Sequence, residues 1–507
     1  MRTAKDVSLL RDERWWGGAV ADGQHMPFGA GFGRDLQAPG ESQAMPLLVS
    51  NRGRYIWSDE PFAFEMSGAA LAIRPRDGAP IQVRDGYDAL AGALAAAGTA
   101  HFPPIGSTPD LRLFTAPQYA LWIELLFEPT QAKVLAYAEE ALEHGFPPGV
   151  LVLDEQWHGA YGDWEFHSGR FPDPVGMVEH LHAMGFPVSL WLVPYVTADS
   201  VVYRQLRREQ LLLRDKLGEP LIGKWWNGYS AGLDLRQPSA IAWIEGRLSA
   251  LSELGIDGFK FDGGDGSFYA QVGCARPEEY TTAWNAIGLD HALNEYRAGW
   301  RAGGLPLAQR QRDKRHSWDG DSGLASLIPH GIAQSLTGHA YHCPDMIGGG
   351  DYLAFPHGDG QVVDEELFVR SAQCSALFPI MQFAAAPWRV LHDKAKIGYC
   401  RDAAVLHVRF GEMIRQLADT AARTGEPIMR PLAYNYPDGS YEAIIDQFML
   451  GTEILVAPVL AQAAVQRTVV LPDGRWRADD GVEYDGGANI VVDAPLARLP
   501  WFERVST

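Results

Sequence analysis

A short apolar segment, residues 256–265, carries two charged residues that an apolar strand would not be expected to bury. Lys260 and Asp262 are two positions apart, so on a β-strand both side chains point to the same face. A buried lysine and aspartate must either pair or take part in chemistry, and a structural ion pair would satisfy this requirement. The strand ends on Asp262 and then breaks into two glycines, which favours Asp262 as a catalytic nucleophile at a strand terminus.

Strand-like and helix-like segments alternate around Asp262. Strands are predicted at residues 119–126, 149–154, 187–194, 256–262, 305–312, 338–345, 378–384 and 427–434. Helices are predicted at 131–144, 174–184, 239–254, 324–335, 364–375 and 403–422, and one more strand, 228–235, is assigned to an insertion before the Asp262 strand. This alternation predicts a (β/α)₈ TIM barrel. An open doubly wound sheet would alternate similarly, but no G-x-G-x-x-G follows an early strand.

The two ends of the chain have a different pattern from the middle. Residues 1–115 combine short alternating runs with frequent Gly and Pro, which predicts an N-terminal β-sandwich interrupted by a helix near 89–100. Residues 116–425 form the predicted barrel. Residues 426–507 are predicted to hold the last barrel strand and a C-terminal β-sandwich.

Side chains at the carboxyl ends of parallel barrel strands meet around one opening. The predicted strand ends and the positions next to them supply Asp154, Trp191, Asp262, Arg310, Asp313 and Asp345. Several carboxylates beside an arginine and tryptophans suit glycoside hydrolysis, in which two carboxyl groups flank the scissile bond. A metal site is the rival chemistry, but the cations of the Asp313-Lys314-Arg315-His316 run count against it, and no metal or cofactor is expected.

The proton donor must be chosen among three aspartates, Asp313, Asp319 and Asp321, which all follow the predicted strand 305–312. Asp313 is nearest to the strand end, where barrel enzymes carry their catalytic groups. Asp319 and Asp321 precede a predicted helix, where an acid also serves as an N-cap. The sequence therefore favours Asp313 as general acid and base, with the other two as alternatives.

The composition limits the partners of this protein. The formal net charge is −20, from 43 Lys+Arg against 63 Asp+Glu, so no basic surplus is available to neutralise nucleic-acid phosphates. The sequence has no 18-residue apolar run and no apolar signal-peptide core, which predicts no membrane partner and a cytoplasmic location; a removed signal peptide and a homo-oligomer both stay open. The four cysteines have no C-x-x-C spacing, so free buried thiols are expected.

Several segments, in order along the chain, resemble glycoside hydrolase family 31, which contains retaining α-glycosidases. The matching segments are Asp154-Glu155-Gln156-Trp157, Gly162-Asp163-Trp164-Glu165-Phe166, Phe259-Lys260-Phe261-Asp262, Pro344-Asp345-Met346-Ile347-Gly348-Gly349 and Ala457-Pro458-Val459. The order of the set carries the resemblance more than any single member. The stretch from Asp313 to Ser317 and Trp318 departs from the Trp-x-Gly-Asp element of many members and looks more like the α-galactosidase-type branch.

The resemblance implies a role for each matching residue. Asp262 would attack the anomeric carbon and Asp313 would act as acid and then base, while Lys260 and Arg310 would assist these carboxylates. For Arg310, a barrel-wall salt bridge explains the residue equally well. Asp154 and Asp345 would bind sugar hydroxyls. The ring platforms would come from Trp157, Trp191, Trp226 and Trp318, of which at least one is expected to be plain core, and His316 would be a hydroxyl contact or a loop residue.

The predicted function is an exo-acting retaining α-glycosidase that acts on an oligosaccharide or glycoside. α-Galactosides are slightly favoured over α-glucosides and α-xylosides. A transglycosylase or lyase would use the same site, and a non-catalytic carbohydrate-binding protein would use the same fold. A binding protein has no need for an attacking carboxylate, which favours the enzyme.

Overall fold

The computed structural model describes residues 5–38, 40, 42–355 and 363–505. Their central feature is a parallel sheet of eight strands that curls into a nearly closed barrel. In chain order the strands are Gln118–Ala120, Leu151–Leu153, Val188–Leu192, Gly258–Phe261, Leu293–Tyr296, Gln309–Arg310, His342–Cys343 and Gln382–Phe383. The last strand pairs with the first, and the amide of Ile380 donates to the carbonyl of His342 across the remaining gap. The predicted TIM barrel is confirmed.

The barrel strands differ from the prediction at three places. The segment Leu293–Tyr296 was not predicted as a strand, yet it is the fifth barrel strand and pairs with Gly258–Phe261. The predicted eighth strand, 427–434, lies outside the barrel: its strand part, Met429–Arg430, pairs with Phe448–Leu450 in the C-terminal sheet. The first predicted strand is also shorter, because the helix Trp122–Leu125 begins where an extended chain was expected.

Helices cover the outside of the barrel, and most of the predicted ones are present. The helices of the barrel region are Gln131–Glu143, Pro174–Ala183, Pro238–Glu253, Gly266–Gln271, Pro277–Ile287, Leu327–Leu336, Glu365–Ser375, Pro387–Val390 and Lys394–Thr424. The last is much longer than predicted, and it ends where Gly425 adopts a positive φ of 76°, a conformation that glycine adopts at little cost. The helices Gly266–Gln271 and Pro277–Ile287 were not predicted.

An insertion follows the third barrel strand. It contains a three-stranded antiparallel sheet of Tyr195–Thr197, Gly228–Gly232 and Ile222–Trp225, with the helix Val201–Glu209. The extra strand predicted at 228–235 is therefore in an insertion, as expected. The turn between Ile222–Trp225 and Gly228–Gly232 carries Trp226 and Asn227, which reach the candidate site.

Sheets flank the barrel at both ends of the chain. The N-terminal part has one sheet of Lys5–Ser8, Ala70–Pro75, Phe62–Met66 and Gly33–Asp35, and a second of Trp15–Ala19, Gln43–Ser50, Arg54–Trp57, Gln82–Arg84 and Gly299–Trp300. The helix Ala89–His101 interrupts this part, as predicted. Gly299–Trp300 comes from the barrel segment and pairs in parallel with Gln43–Ala44, so barrel and N-terminal sheet are joined by backbone hydrogen bonds.

The C-terminal part is a sandwich with its own core. One sheet consists of Met429–Arg430, Phe448–Leu450, Ile454–Val456, Trp501–Arg504, Arg475–Ala478 and Glu483–Asp485, and the other of Gln466–Leu471 and Ala488–Asp493. Side chains from both sheets, including Trp476, Val469 and Phe502, pack into one buried cluster. Among the described residues, no helix is long and apolar enough to cross a membrane.

Candidate active site

A cavity of about 720 Å³ lies at the barrel opening. Its wall includes Asp154, Trp191, Trp226, Lys260, Asp262, Arg310 and Asp313, so it brings together seven of the eleven residues that the sequence nominated. These residues come from the carboxyl ends of the second, third, fourth and sixth barrel strands and from the insertion turn. Convergence of strand ends on one opening is the property of a barrel that produces an active site.

Asp262 is buried at the base of this cavity and accepts hydrogen bonds from three directions. The Arg297 guanidinium donates to Oδ1 at 3.0 Å, the Gly263 amide to Oδ1 at 2.8 Å, and the Trp191 indole to Oδ2 at 3.1 Å. Burial alone would raise the pKa of Asp262, but Arg297, then Arg310 and Lys260, hold it well below the ordinary value. Asp262 is therefore an anion with a fixed orientation.

The turn after Asp262 depends on its glycines. Gly264 has a φ of +69°, and a Cβ at this position would lie 2.4 Å from Cδ1 of Trp284. Trp284 in turn donates from its indole nitrogen to the Asp262 carbonyl at 3.2 Å. Glycine at 264 thus allows Trp284 to pack directly beneath the carboxylate-bearing residue.

Lys260 does not make its ion pair with Asp262. Its ammonium donates to Oδ2 of Asp154 at 2.7 Å, and both side chains are buried. Lys260 does lower the pKa of Asp262, as the resemblance implied, but Arg297 and Arg310 have the larger effects. The shared face of Lys260 and Asp262 is as predicted, because both line the cavity.

Arg310 lies within the barrel and joins three carboxylates. It contacts Oδ1 of Asp313 at 2.7 Å, Oε1 of Glu295 at 3.2 Å and the Asp345 carboxylate. The barrel-wall salt bridge considered for Arg310 and its position beside Asp313 are thus both present. Asp313 differs from these buried groups because 57% of its side-chain surface is exposed.

The pKa of Asp313 is set by charges of both signs nearby. Desolvation in the cavity favours its neutral form, but the Arg310 and Arg297 guanidinium groups outweigh this and lower its pKa. The nearby Asp262 anion acts in the opposite direction and raises the pKa of Asp313. A ligand that excluded water from Asp313 would strengthen both desolvation and the repulsion from Asp262. The pKa of Asp313 would rise if these effects outweighed the attraction of Arg310 and Arg297.

Four of the expected sugar contacts lie away from the wall of this cavity. Trp157 is fully buried and donates to the Trp191 carbonyl at 2.9 Å, so it is the core tryptophan that was expected among the four. His316 and Trp318 turn toward Asp364, through its carbonyl at 3.2 Å and its carboxylate at 2.8 Å. Asp345 is buried behind Arg310 and accepts from the Lys314 amide at 2.7 Å.

The two alternatives to Asp313 have different surroundings. Asp319 accepts hydrogen bonds from the Ser317 hydroxyl and from the amides of Asp321, Ser322 and Gly323. The Ser317 hydroxyl and then the Ser322 and Asp321 amides lower its pKa to about 2. Asp319 therefore closes the loop before the helix and is not the N-cap considered for it, since the N-cap position is Gly323 and has no side-chain cap. Asp321 lines the cavity, but it pairs with Arg315 at 3.0 Å and Arg312 at 3.4 Å.

Glu155 is a cavity residue that was quoted in the sequence only as part of a motif. Trp226 donates to its Oε1 at 2.9 Å, and Tyr161 donates to its Oε2 at 3.0 Å, as does Asn227. Burial among these neutral partners raises the pKa of Glu155 to about 7. A carboxyl group with a pKa near neutrality therefore lines the same cavity as Asp154 and Asp262.

Arg297 and Asp265 were missed by the sequence analysis. Arg297 follows the unpredicted strand Leu293–Tyr296 directly, and its Nη2 contacts Oδ2 of Asp265 at 2.9 Å. Recognition of that strand would have placed Arg297 at a strand end beside Asp262. Asp265 was visible as the end of the glycine-rich turn, but the turn gave no sign of its partner.

A parallel barrel whose cavity is lined by converging carboxylates and aromatic rings has the groups that a glycoside hydrolase needs. The chain belongs to glycosyl hydrolase family 31: residues 115–398 match the TIM-barrel domain of that family and residues 425–507 its C-terminal domain. The resemblance read from the ordered motifs is thereby confirmed.

Relatives of known description include several glycosidases. The myogenesis-regulating glycosidase of Mus musculus is 29% identical, over 98% of this chain and 75% of its own length. The sulfoquinovosidase of Escherichia coli strain K12 is 25% identical over 68% of this chain and 53% of its own length. The α-xylosidase XylQ of Lactiplantibacillus pentosus is 24% identical over 74% and 51%. This chain thus spans about half the length of the latter two.

Solved structures share the fold of the whole chain. A Flavobacterium johnsoniae dextranase of this family, complexed with glucose, has a TM-score of 0.84 at 19% identity, over 99% of this chain and 66% of that one. An α-xylosidase from a soil metagenome, complexed with xylose, has a TM-score of 0.84 at 21% identity, over 99% and 79%. At these identities the likeness establishes the architecture, including the flanking sheets.

Proposed function

We propose that this protein is an exo-acting retaining α-glycosidase that removes a terminal α-linked sugar, with galactosides favoured over glucosides and xylosides. The observation that carries the proposal is the pair of unlike carboxylates on one cavity. Asp262 is buried and fixed as an anion by Arg297, whereas Asp313 is more than half exposed and reaches the same space. The attacking group must be ionised and the proton donor must hold its proton, so the two carboxyl groups need different environments.

In the proposed first step, an Asp262 oxygen forms a bond to the anomeric carbon while the bond to the leaving oxygen breaks. Asp313 supplies the proton that this oxygen takes up. In the second step Asp313 removes a proton from water, and the water oxygen replaces Asp262 at carbon. Asp313 must be protonated for the first step, whereas Arg310 and Arg297 lower its pKa, so the bound substrate has to raise it.

The hydroxyl contacts are proposed to come from the buried charged residues around Asp262. Asp154, paired with Lys260, lines the cavity and can accept from sugar hydroxyls. Trp191 and Trp226 also line it, and their rings suit the C–H faces of a sugar. The preference for galactose rests on the sequence from Asp313 to Trp318; because Trp318 itself lies off the cavity, the sugar must be identified by assay.

The test is a panel of aryl α-galactosides, α-glucosides and α-xylosides, assayed with wild type, Asp262→Ala and Asp313→Ala. We expect one α-glycoside to be cleaved and both variants to lose most activity, with a loss of roughly 10²–10⁴-fold for Asp313→Ala on a poor leaving group. Asp319→Ala and Asp321→Ala are the matched controls and should keep most activity. A dead Asp321→Ala beside an active Asp313→Ala would reverse the assignment of the acid.

Azide rescue separates the two roles. With Asp262→Ala, azide can occupy the space of the lost carboxylate and should give the β-glycosyl azide. With Asp313→Ala, azide can attack the glycosyl-enzyme from the other face and should give the α-glycosyl azide. The same azide anomer from both variants would contradict a double displacement.

A transglycosylase or lyase is the second candidate, because these enzymes differ only in what resolves the glycosyl-enzyme. An isomaltosyltransferase of Sporosarcina globispora is 25% identical over 76% of this chain and 40% of its own length. Product analysis with and without added sugar acceptors distinguishes transfer from hydrolysis. A non-catalytic binding protein would bind the sugar with no turnover in any of these assays.

A further inference from the structure

Three cations line the cavity away from Asp262, and Asp321 is the cavity carboxylate that pairs with two of them. Lys224, Arg312 and Arg315 all line the cavity, together with Asp321. We call these four residues and Trp226, which are more exposed than the groups around Asp262, the exposed rim. Asp321 pairs with both arginines, and within the described part of the chain no carboxylate pairs with the Lys224 ammonium. The exposed rim therefore carries an excess of positive charge.

The positive charge of the exposed rim is opposite in sign to the net charge of the whole protein. The whole chain has a formal net charge of −20, and the buried groups beneath the rim are also rich in acids. There, Asp262 and Asp265 share Arg297, while Asp313, Asp345 and Glu295 share Arg310. A positive rim over an acidic base is a separation of charge along the cavity.

The separation indicates where a charged ligand would fit. An anionic group on the sugar that is cleaved off would lie against Asp262 and Asp265 and be repelled. The same group on the leaving part of the substrate would lie outward from the Asp313 side chain, beside the ammonium and guanidinium groups of the rim. Arg312 and Arg315 present planar donor groups, which suit carboxylate, sulfate or phosphate oxygens.

We propose that the exposed rim forms a subsite for a leaving group that carries an anionic substituent. The inference rests on the proposed glycosidase function and specifies its substrate class: a neutral α-linked sugar joined to an anionic aglycone. Lys224 and Arg315 are the principal contacts, since both are exposed and on the cavity wall. Asp321 opposes them, because it neutralises part of the charge of the two arginines.

The experiment compares two aryl α-glycosides of the sugar that the panel identifies, one with a 4-carboxyphenyl and one with a 4-carbamoylphenyl leaving group. The readout is the ratio of their kcat/KM values in wild type and in each variant. Because the intrinsic reactivity of the two phenols is the same in every variant, it cancels when these ratios are compared. Sulfated and phosphorylated aryl glycosides then rank the three kinds of anion.

We expect Lys224→Gln and Arg315→Gln each to lower the ratio by about fivefold, the effect of one pair of unit charges near 4 Å in water. Asp321→Asn should raise the ratio, because it leaves Arg312 and Arg315 to the substrate. High salt should reduce all of these differences. Lys216→Gln is the control, since it removes an exposed lysine of the same insertion that does not line the cavity.

Two results would overturn the proposal. One is a ratio that stays the same in Lys224→Gln and Arg315→Gln; the other is an equal drop in Lys216→Gln, which would indicate an effect of net charge. If neither glycoside is cleaved, the proposed glycosidase function fails, and calorimetry still tests the subsite. In that case 4-carboxyphenyl glycoside must bind more tightly than its carboxamide, and Lys224→Gln must remove the difference.

Discussion

Two regions of one cavity handle charge in opposite ways. Around Asp262 the charged side chains are buried and linked by short contacts; we call Asp154, Lys260, Asp262, Asp265, Arg297 and Arg310 the buried charged cluster. In the exposed rim the ion pairs are open to water: Asp321 pairs with Arg315 at 3.0 Å and with Arg312 at 3.4 Å, and the side chains of Asp321 and Arg315 are well exposed. In the cluster, a buried charge that lost its partner would destabilise the fold strongly. At the rim, water would solvate an unpaired charge, so the loss of a partner would cost little. The cluster can therefore fix geometry, and the rim can adapt to a ligand.

The strongest test of this contrast removes one cation from each region. Arg310→Met would leave Asp345 and Glu295 buried without their shared partner, so we expect a loss of about 3–5 kcal/mol in the free energy of unfolding. Arg315→Met should change it by no more than about 0.5 kcal/mol. Urea unfolding of both variants measures the difference. Comparable losses in the two variants would show that burial does not distinguish the regions.

Glu155 provides a test by pH. Its folded-state pKa is raised by burial to about 7 from an ordinary value of 4.5, so the folded protein holds a proton that the unfolded chain releases between these values. This contribution to stability is complete below pH 4.5 and is lost as the pH rises through 7, on the order of 3 kcal/mol in total.

Glu155→Gln keeps the shape of the side chain but removes its titration. Relative to wild type, the variant should therefore become more stable as the pH rises from 5 to 8. Asp262→Asn is the contrasting variant, because the pKa of Asp262 is lowered and its stabilisation is lost only as the pH falls below the ordinary range. A difference between wild type and Glu155→Gln that does not change with pH would contradict the raised pKa.

Asp313 belongs partly to each region, since it pairs with buried Arg310 and is itself exposed. Gly350 packs against it: a Cβ at this position would lie 2.6 Å from Cγ and 2.7 Å from Cβ of Asp313. Gly350→Ala should displace the carboxyl and lower kcat by roughly 10²-fold for a poor leaving group, with less effect for an activated one. Gly320→Ala, which meets no neighbour within 4 Å, is the control and should keep its activity.

The smallest effect is expected for an ion pair of the rim. Asp321→Asn removes the partner of Arg312 and Arg315, whose contacts are largely exposed. The free energy of unfolding should fall by no more than about 1 kcal/mol, and the change should shrink further in 1 M salt. A larger, salt-independent loss in urea unfolding would mean that this pair is structural.

The sequence predicted what depends on local pattern. The strand Gly258–Phe261 is apolar and ends in a carboxylate and two glycines, so both the strand and Asp262 could be found. The strand Leu293–Tyr296 was missed because Asn294 and Glu295 interrupt its apolar character. In the fold these polar groups are satisfied, by backbone carbonyls for Asn294 and by Arg310 and Gln382 for Glu295, and a partner so distant in sequence leaves no local signal.

The same limit applies to the site. Acids and tryptophans at strand ends could be nominated one by one, but whether each faces the cavity depends on neighbours from other segments. Trp318 and His316 turn away because Asp364 supplies their hydrogen bonds. The cations of the exposed rim were not predicted as a group, because Lys224 lies on the insertion strand Ile222–Trp225 and Arg315 follows the sixth barrel strand, and only the fold brings them to one cavity.

The side chain of Gln43 connects the N-terminal sheet to the candidate active site by hydrogen bonds. Its side-chain amide donates to the carbonyl of Arg297 at 2.5 Å and to that of Arg310 at 2.7 Å, and its strand pairs with Gly299–Trp300. Arg297, which contacts Asp262, and Arg310, which contacts Asp313, are thus anchored from outside the barrel. An isolated barrel segment would lack this brace, so the first hundred residues are an integral part of the enzyme rather than a detachable appendage.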